Sequence, residues 1–132
     1  MTIDPELTVQ IDTDDPTPML GYPFAKQLLA RHKPFTALFA YNDISAIGAI
    51  RALQEQGLRV PQDVSVMGFD DLWVCSSLSP SLSTVRQDTE AAARALIDGL
   101  SCLIENEPVH VTRMPTQLVI RESCGGLNLK RH

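Results

Sequence analysis

The hydrophobic positions of this chain alternate between short strand-like runs and longer stretches with helical spacing. Leu7–Ile11 alternates polar and apolar residues and predicts a first strand. A helix is predicted to begin after Thr17, its N-cap, with Pro18 at the first helical position, and to stop at Pro34. Phe35–Ala40 is a short apolar run that predicts a buried strand. Strands that alternate with helices are typical of an α/β fold with a largely parallel sheet flanked by helices.

The middle of the chain continues the same alternation. Asn42 and Asp43 are capping residues for a helix that is predicted to end at Gly57. Val64–Phe69 predicts the next strand, and Asp70 and Asp71 follow it directly. The Ser-rich stretch from Leu72 to Ser83 predicts a surface loop with at most one helical turn.

The C-terminal third predicts an extended segment, an amphipathic helix and two short strands. Leu82–Arg86 is the extended segment, and Asp88 or Thr89 caps the helix that follows. Val109–Val111 and Gln117–Ile120 are the predicted final strands. One face of the helix carries an apolar stripe, which consists of Leu96, Ile97, Leu100, Leu103 and Ile104.

Acidic and amide side chains follow three of the predicted strands, as Asp14–Asp15, Asn42–Asp43 and Asp70–Asp71. Ligands of open parallel sheets bind beyond the carboxyl ends of the strands, so this pattern indicates a site for a polar ligand. The pair Asp70–Asp71 is compatible with a divalent cation, with phospho-acceptance and with sugar hydroxyls. A capped turn explains the same pair more simply, and an N-cap explains Asn42.

Composition narrows the class of protein. The 132 residues are 44% hydrophobic and 20% charged, as expected for one globular domain. A net charge of -5 with scattered basic residues argues against direct DNA binding, which needs clustered Lys and Arg. The first residues lack a signal-peptide pattern, and no apolar run approaches the roughly 20 residues that cross a bilayer. We therefore expect a cytoplasmic protein with no membrane partner.

Motifs for catalysis, metals and cofactors are missing from the sequence. There is no Gly-x-Ser-x-Gly elbow, no Gly-x-Gly-x-x-Gly pattern and no Walker motif. Cys75, Cys102 and Cys124 are far apart and predict idle thiols rather than a zinc site. His32 lies at a predicted helix end and His110 in a predicted strand, without ligand partners at useful spacing. The chain is predicted not to be an enzyme and to hold neither metal nor cofactor.

Four ordered motifs resemble the LacI/GalR family of bacterial transcription regulators. Phe39–Leu53 is similar to the family pattern A-x-N-D-x-x-A-x-G-A-x-x-A-L, and Gly57–Asp71 to G-L-x-V-P-x-D-V-S-V-x-G-F-D-D. Leu78–Gln87 resembles L-x-P-P-L-T-T-V-x-Q, and Met114–Ser123 resembles L-P-T-x-L-V-V-R-E-S. Together they cover most of residues 35–123.

The resemblance implies a flavodoxin-like, periplasmic-binding-protein-like lobe, present as an incomplete copy of a two-lobe effector-binding domain. Residues 1–124 are then the C-terminal portion of that domain, within which the helix at 88–105 belongs to the other lobe in the family. Residues 125–132 are expected to be a disordered tail.

The resemblance also assigns candidate site residues. Asn42 and Asp70 fall on positions that commonly contact the effector, and Gln87 lies close to the cleft at a crossover. Asp15 and Pro16 complete the predicted effector set, although Pro16 stands where many relatives place an aromatic ring. The family places three further side chains on the surface that pairs subunits, and ordinary core is the alternative for them: Ile47, Ile50 and Leu78.

The function so implied is sensing of a small effector, sugar-like or nucleobase-like, by a regulator whose DNA-binding part is not in this chain. We expect a homodimer or higher self-association, because the stripe at Leu96–Ile104 lacks the lobe that covers it in the family. Two alternatives stay open. One is a solute-binding protein of a sugar transport system. The other is a phospho-receiver-like domain that uses Asp70–Asp71, although the downstream phospho-acceptor Asp and the strand-end Lys are missing.

Overall fold

The computed structural model of the chain describes residues 4–10, 21–109 and 111–125. The helices in these ranges are α1 (Gly21–Ala30), α2 (Asp43–Glu55) and α3 (Thr89–Ile104). The strands are β1 (Ala37–Phe39), β2 (Ser65–Met67), β3 (Thr84–Gln87) and β4 (Thr116–Val119). Short 3₁₀ turns cover Pro5–Leu7, Trp73–Ser77 and Glu122–Cys124.

The strands combine parallel and antiparallel pairing. β1 and β2 are parallel, with Leu38 opposite Val66. Two parallel bridges, Met67 to Ser83 and Asp70 to Arg86, continue the sheet from β2 toward β3. β3 and β4 are antiparallel. The predicted α/β fold is therefore confirmed, with an antiparallel pair added at its end.

The core lies between α2 and the strands. Leu53 of α2, Val66 of β2 and Leu82 before β3 are fully buried and belong to one hydrophobic cluster. α1 packs on α2 at very short range, since a Cβ added to Gly48 would lie 2.7 Å from the backbone nitrogen of Tyr22. Small residues at this crossing allow the two helices to approach. α2 is thus held on both sides, and its N-terminus has a well-defined place next to the strand ends.

The predicted first strand at Leu7–Ile11 is wrong for its described part. Pro5–Leu7 forms a 3₁₀ turn that Asp4 caps, and residues 8–10 pair with no strand of the described ranges. The Nη1 of Arg31 donates to the carbonyl oxygens of Glu6 and Thr8, each at 2.9 Å. A side chain therefore satisfies carbonyls that a neighbouring strand would otherwise bind. Ile11 lies outside the described residues.

Three further predictions differ in detail. β1 is not a buried strand, because Phe39 is 63% exposed and β1 pairs only with β2 among the described strands. α1 ends at Ala30, before Pro34, and its predicted cap residues Thr17 and Pro18 lie outside the described residues. Val109 and Val111 are not in a strand, and His110 lies outside the described part of the chain, as does the predicted tail after Gly125.

α3 stands apart from the core. Asp88 caps it, because its Oδ1 accepts a hydrogen bond from the Ala91 backbone nitrogen at 2.9 Å. No residue of α3 is buried, and the side chains of its apolar stripe are between 58% and 75% exposed. The stripe is therefore uncovered by the parts of the chain that the structure describes. None of the helices in these ranges combines the length and apolar character that crossing a lipid bilayer requires.

Candidate functional site

Two predicted effector residues meet where β2 and β3 end. The backbone nitrogen of Asp70, which follows β2, donates to the Val85 carbonyl of β3 at 2.9 Å. The Nε2 of Gln87, the last residue of β3, then donates to Oδ1 of Asp70 at 2.8 Å. Asp70 is half-buried and Gln87 is exposed, so both side chains reach solvent. This pair is the centre of the candidate site.

Asn42 lies at the same edge of the sheet. The backbone nitrogen of the next residue, Asp43, donates to the carbonyl of Phe69 at 2.8 Å, which ties the start of α2 to the end of β2. The Oδ1 of Asn42 accepts a hydrogen bond from the Ser45 nitrogen at 2.8 Å. Asn42 is therefore the predicted N-cap of α2, and among the described residues its side-chain NH₂ group has no acceptor. Its contact with an effector stays a prediction.

The turn after β2 has an unusual backbone. Asp70 has φ +109° and Asp71 has φ +56°, in the region that favours glycine. Non-glycine residues in sparsely populated conformations cost about 1–3 kcal/mol each and cluster at ligand sites. Here the two consecutive positive-φ residues direct the Asp70 carboxylate toward Gln87 and the Asp71 carboxylate toward two arginines.

The carboxylate of Asp71 is held by two arginines. Its Oδ2 accepts from Nε of Arg86 at 2.6 Å, and its Oδ1 accepts from Nη2 of Arg121 at 2.7 Å. The side chain is only 7% exposed. Burial acts to raise the pKa of Asp71, but the hydrogen bonds from Arg121 and Arg86 outweigh it and hold that pKa below its ordinary value. Because arginines bind both oxygens, Asp71 is unavailable as a metal ligand or phospho-acceptor, and the described residues contain no cluster of three metal-ligating side chains.

Asp43 is a functional candidate that sequence reasoning did not identify beyond a possible cap. Its side chain is fully buried. The Oδ1 accepts from the Thr84 hydroxyl at 2.6 Å, and the Oδ2 accepts from the Leu72 backbone nitrogen at 2.8 Å. These partners lie 41 and 29 positions away, so no local pattern could reveal them.

Two exposed aromatic residues accompany the strand ends. Tyr41 immediately precedes Asn42, and Trp73 follows Asp70 by three positions and is 84% exposed. Trp73 falls within the predicted surface loop from Leu72 to Ser83 and was not predicted as a site residue. The signal that could have revealed it is the single Trp of the chain within a Ser-rich segment beside two aspartates. Flat apolar rings at such a place can pack on a ligand.

All three cysteines of the chain lie within the described residues. Cys75, Cys102 and Cys124 are all free. Cys75 is buried, and that burial, with a smaller contribution from Asp43, raises the pKa of Cys75 to about 12. A thiol that stays protonated at neutral pH is a poor nucleophile.

The remaining predicted site residues are divided. Asp15 and Pro16 lie outside the described residues. Ile50 is buried in the main hydrophobic cluster, whereas Ile47 and Leu78 are partly buried against the same cluster. Ile50 therefore contributes to the core, and Ile47 and Leu78 retain exposed surface. A role of these three in pairing subunits stays a prediction.

Comparison with known proteins gives a family and close relatives. A model of the periplasmic binding protein-like domain matches residues 4–124. The HTH-type transcriptional regulator MalR of Clostridium butyricum is 38% identical over 124 residues, which are 92% of this chain and 36% of that protein.

Solved structures agree with the sequence relatives. A Lac repressor dimer bound to operator and the anti-inducer ONPF has a TM-score of 0.74 and 36% identity, covering 80% of this chain and 32% of that one. A complex of the regulator CelR with cellobiose has a TM-score of 0.75 and 36% identity, covering 83% of this chain and 34% of that one. The chain spans about a third of the length of these relatives.

Proposed function

The chain belongs to the periplasmic binding protein-like domain family, and we propose that it senses a small polar effector for a LacI-type transcription regulator. The observation that carries the proposal is the hydrogen bond between Gln87 and Asp70, with Asn42 at the same sheet edge. In the full-length protein, effector binding here would control DNA binding. The relatives named above are transcriptional regulators, which supports this function over a transport protein.

The hydrogen-bonding capacity left at the site favours a neutral, hydroxyl-rich ligand. Gln87 uses one N–H on Asp70, and Asn42 uses its carbonyl oxygen on Ser45. Among the described residues this leaves Oδ2 of Asp70 and Oε1 of Gln87 as adjacent acceptors, and the Asn42 NH₂ as a donor. Adjacent acceptors match the vicinal hydroxyls of a sugar, and a carboxylate repels anionic metabolites. The N–H groups of a nucleobase edge are the second match.

The exposed aromatic side chains support the same class. Trp73 offers a large flat surface near the end of β2. Aromatic rings contribute apolar contact area at a polar site, as sugar rings with their C–H faces require. We include Trp73 in the proposed site as an aromatic contact for the ligand.

The test is a titration of the ¹⁵N-labelled chain, followed by NMR. The probes are ribose, cellobiose and hypoxanthine, with glucose 6-phosphate as the anionic control. A neutral sugar should shift the backbone amides of Asp70 and Asp71 and the side-chain NH₂ signals of Asn42 and Gln87. Affinity should be weak, because the chain forms only one side of a cleft and pockets bury most of their ligand. Asp70→Ala should weaken binding by about 1.5 kcal/mol or more, roughly tenfold.

Asp63→Ala is the control variant, since it removes a half-buried carboxylate that pairs with Arg59 away from the site. It should leave the shifts unchanged. If neither a sugar nor hypoxanthine shifts these signals at tens of millimolar, the proposed function is wrong. If hypoxanthine alone shifts them, the ligand class is a nucleobase.

The proposal extends to partners and location. The chain, with its net charge of -5, should not bind DNA by itself, and it should have no catalytic activity of its own. A mobility shift with a defined operator at submicromolar protein would contradict the first statement. A regulator that acts on DNA works in the cytoplasm, which is the location we propose. Self-association, through Ile47, Ile50 and Leu78 or through α3, completes the proposal.

A further inference from the structure

The buried carboxylate of Asp43 connects three parts of the chain below the candidate site. It belongs to the first turn of α2, yet both of its acceptor bonds leave the helix. One goes to the backbone nitrogen of Leu72, in the turn after β2, and the other to the hydroxyl of Thr84, at the start of β3. Asn42 makes the N-cap of α2, so Asp43 is not needed for that purpose.

Asp43 contacts the backbone on both sides of the positive-φ turn. Gly68 precedes the turn, and a Cβ added there would lie 2.3 Å from Oδ1 of Asp43, so the backbone packs directly on the carboxylate. Leu72, immediately after the turn, donates its N–H to Oδ2. Thr84 donates to Asp43 and also accepts from the backbone nitrogen of Asp71 at 3.3 Å. The backbone at 70–71 is therefore anchored to Asp43 before, within and after the turn.

Such an anchor is needed because the turn is unfavourable in itself. Asp70 and Asp71 adopt conformations that persist only when their surroundings determine them. Hydrogen bonds to an ionised acceptor are shorter and about twice as strong as neutral ones. A buried carboxylate also needs its hydrogen bonds, so it holds its donors firmly in place.

We propose that Asp43 is a positioning residue, which holds the turn at Asp70–Leu72 in the conformation that brings the Asp70 carboxylate to Gln87. It does not touch the ligand, and it acts through the backbone of the turn. The consequence for ligand affinity rests on the proposed function, whereas the positioning of Asp70 does not depend on it.

The test compares four variants of the full chain by NMR. Asp43→Ala removes both acceptors, and Asp43→Asn keeps the shape and one acceptor. Thr84→Val removes only the hydroxyl, so it still tests the proposal if Asp43→Ala does not fold. Ser123→Ala is the matched control: it also deletes a buried side chain that bridges two strands, through bonds to the Ser83 nitrogen and the Val66 carbonyl.

Two signals report on the turn. Hydrogen exchange of the Leu72 amide should accelerate at least tenfold in Asp43→Ala relative to Ser123→Ala. The acceleration should be smaller in Asp43→Asn. The side-chain NH₂ signals of Gln87 should move in Thr84→Val toward those of a chain carrying Asp70→Ala, in which their acceptor is absent. A merely structural role would move these signals no more than Ser123→Ala does, and that result would overturn the proposal.

The ligand adds an independent readout. Thr84→Val should weaken the binding of whichever sugar the titration identifies by at least threefold, whereas Ser123→Ala should not. If neither a sugar nor hypoxanthine binds the wild-type chain while the Leu72 and Gln87 signals change as expected, the proposed function fails and the positioning role stands. Unchanged sugar affinity in Thr84→Val, with binding established, would overturn the proposal even if the Leu72 amide exchanges faster.

Discussion

The side-chain amide of Gln87 donates to the Asp70 carboxylate across 2.8 Å and thereby joins the end of β3 to the turn that follows β2. The two residues are 17 positions apart, and the parallel bridge between Asp70 and Arg86 sets their register. An exposed hydrogen bond adds little to stability. Its effect is to orient two polar side chains in advance, which reduces the cost of ordering them around a ligand.

The backbone of Asp70 should make glycine preferable to alanine at this position. Both Asp70→Gly and Asp70→Ala delete the carboxylate, so their difference isolates the backbone at φ +109°. Glycine adopts that conformation without steric conflict, and we expect Asp70→Gly to unfold with a free energy about 1 kcal/mol higher than Asp70→Ala. Urea denaturation followed by circular dichroism measures the difference. Equal stability of the two variants would mean that the turn relaxes once the carboxylate is gone.

The ion pairs of Asp71 should make stability depend on pH in the acid range. The folded-state pKa lies below the ordinary value of 3.8, so the stabilisation is complete above that value and is lost as pH falls through the folded pKa. Asp71→Asn should unfold more easily at pH 7, by about 1–3 kcal/mol, because it leaves Arg121 with a weakened partner. It should also lose less stability than the wild type between pH 5 and pH 3.

Urea midpoints at several pH values check this prediction. Asp98→Asn removes an exposed carboxylate from α3 and serves as the control. If Asp71→Asn and Asp98→Asn follow the same pH profile, the buried ion pairs do not contribute to acid unfolding.

Two helical glycines should respond to alanine in opposite directions. Gly48→Ala would place a Cβ 2.7 Å from the Tyr22 nitrogen, which forces α1 away from α2 and should lower the free energy of unfolding by about 1–3 kcal/mol. Gly99→Ala in α3 would place its Cβ 3.5 Å from Val109, at ordinary contact distance. It should raise the free energy of unfolding by about 0.5–1 kcal/mol through helix propensity, if α3 unfolds with the rest. Thermal unfolding of both variants tests the prediction, and destabilisation by Gly99→Ala would contradict the expected gain in helix stability.

The apolar stripe of α3 should drive self-association. Each large apolar side chain that moves from water into an interface contributes about 1.5–3 kcal/mol, and five of them are exposed on one face. We expect the chain to be larger than a monomer in light scattering at micromolar concentration. The double variant Leu96→Asp with Leu100→Asp should shift the chain toward the monomer, and Ser101→Asp on the same helix should not. A wild-type monomer, unaffected by the double variant, would show that α3 is covered within its own chain.

Local rules account for much of what could be predicted. Capping by Asn42 and Asp88 was predictable because a cap side chain binds a nitrogen three positions away. The positions of α2 and α3 followed from helical spacing, and the placement of Asp70 after β2 followed from the end of an apolar run. The same alternation misled at Leu7, because a strand also needs a partner, and a periodic pattern does not supply one.

The amino-acid sequence by itself determined which segments become helices and strands and which polar residues follow them, since spacing and capping act over a few positions. Only the tertiary structure decided which carboxylate does what. Asp43, Asp70 and Asp71 are all aspartates that follow predicted strands. In the structure, however, the first is buried against Thr84, the second accepts a hydrogen bond from Gln87 and the third is bound by Arg121, 50 positions away. The physical reason is that a carboxylate takes its role from the donors that the fold brings within about 3 Å of it, and those donors come from segments distant in the chain.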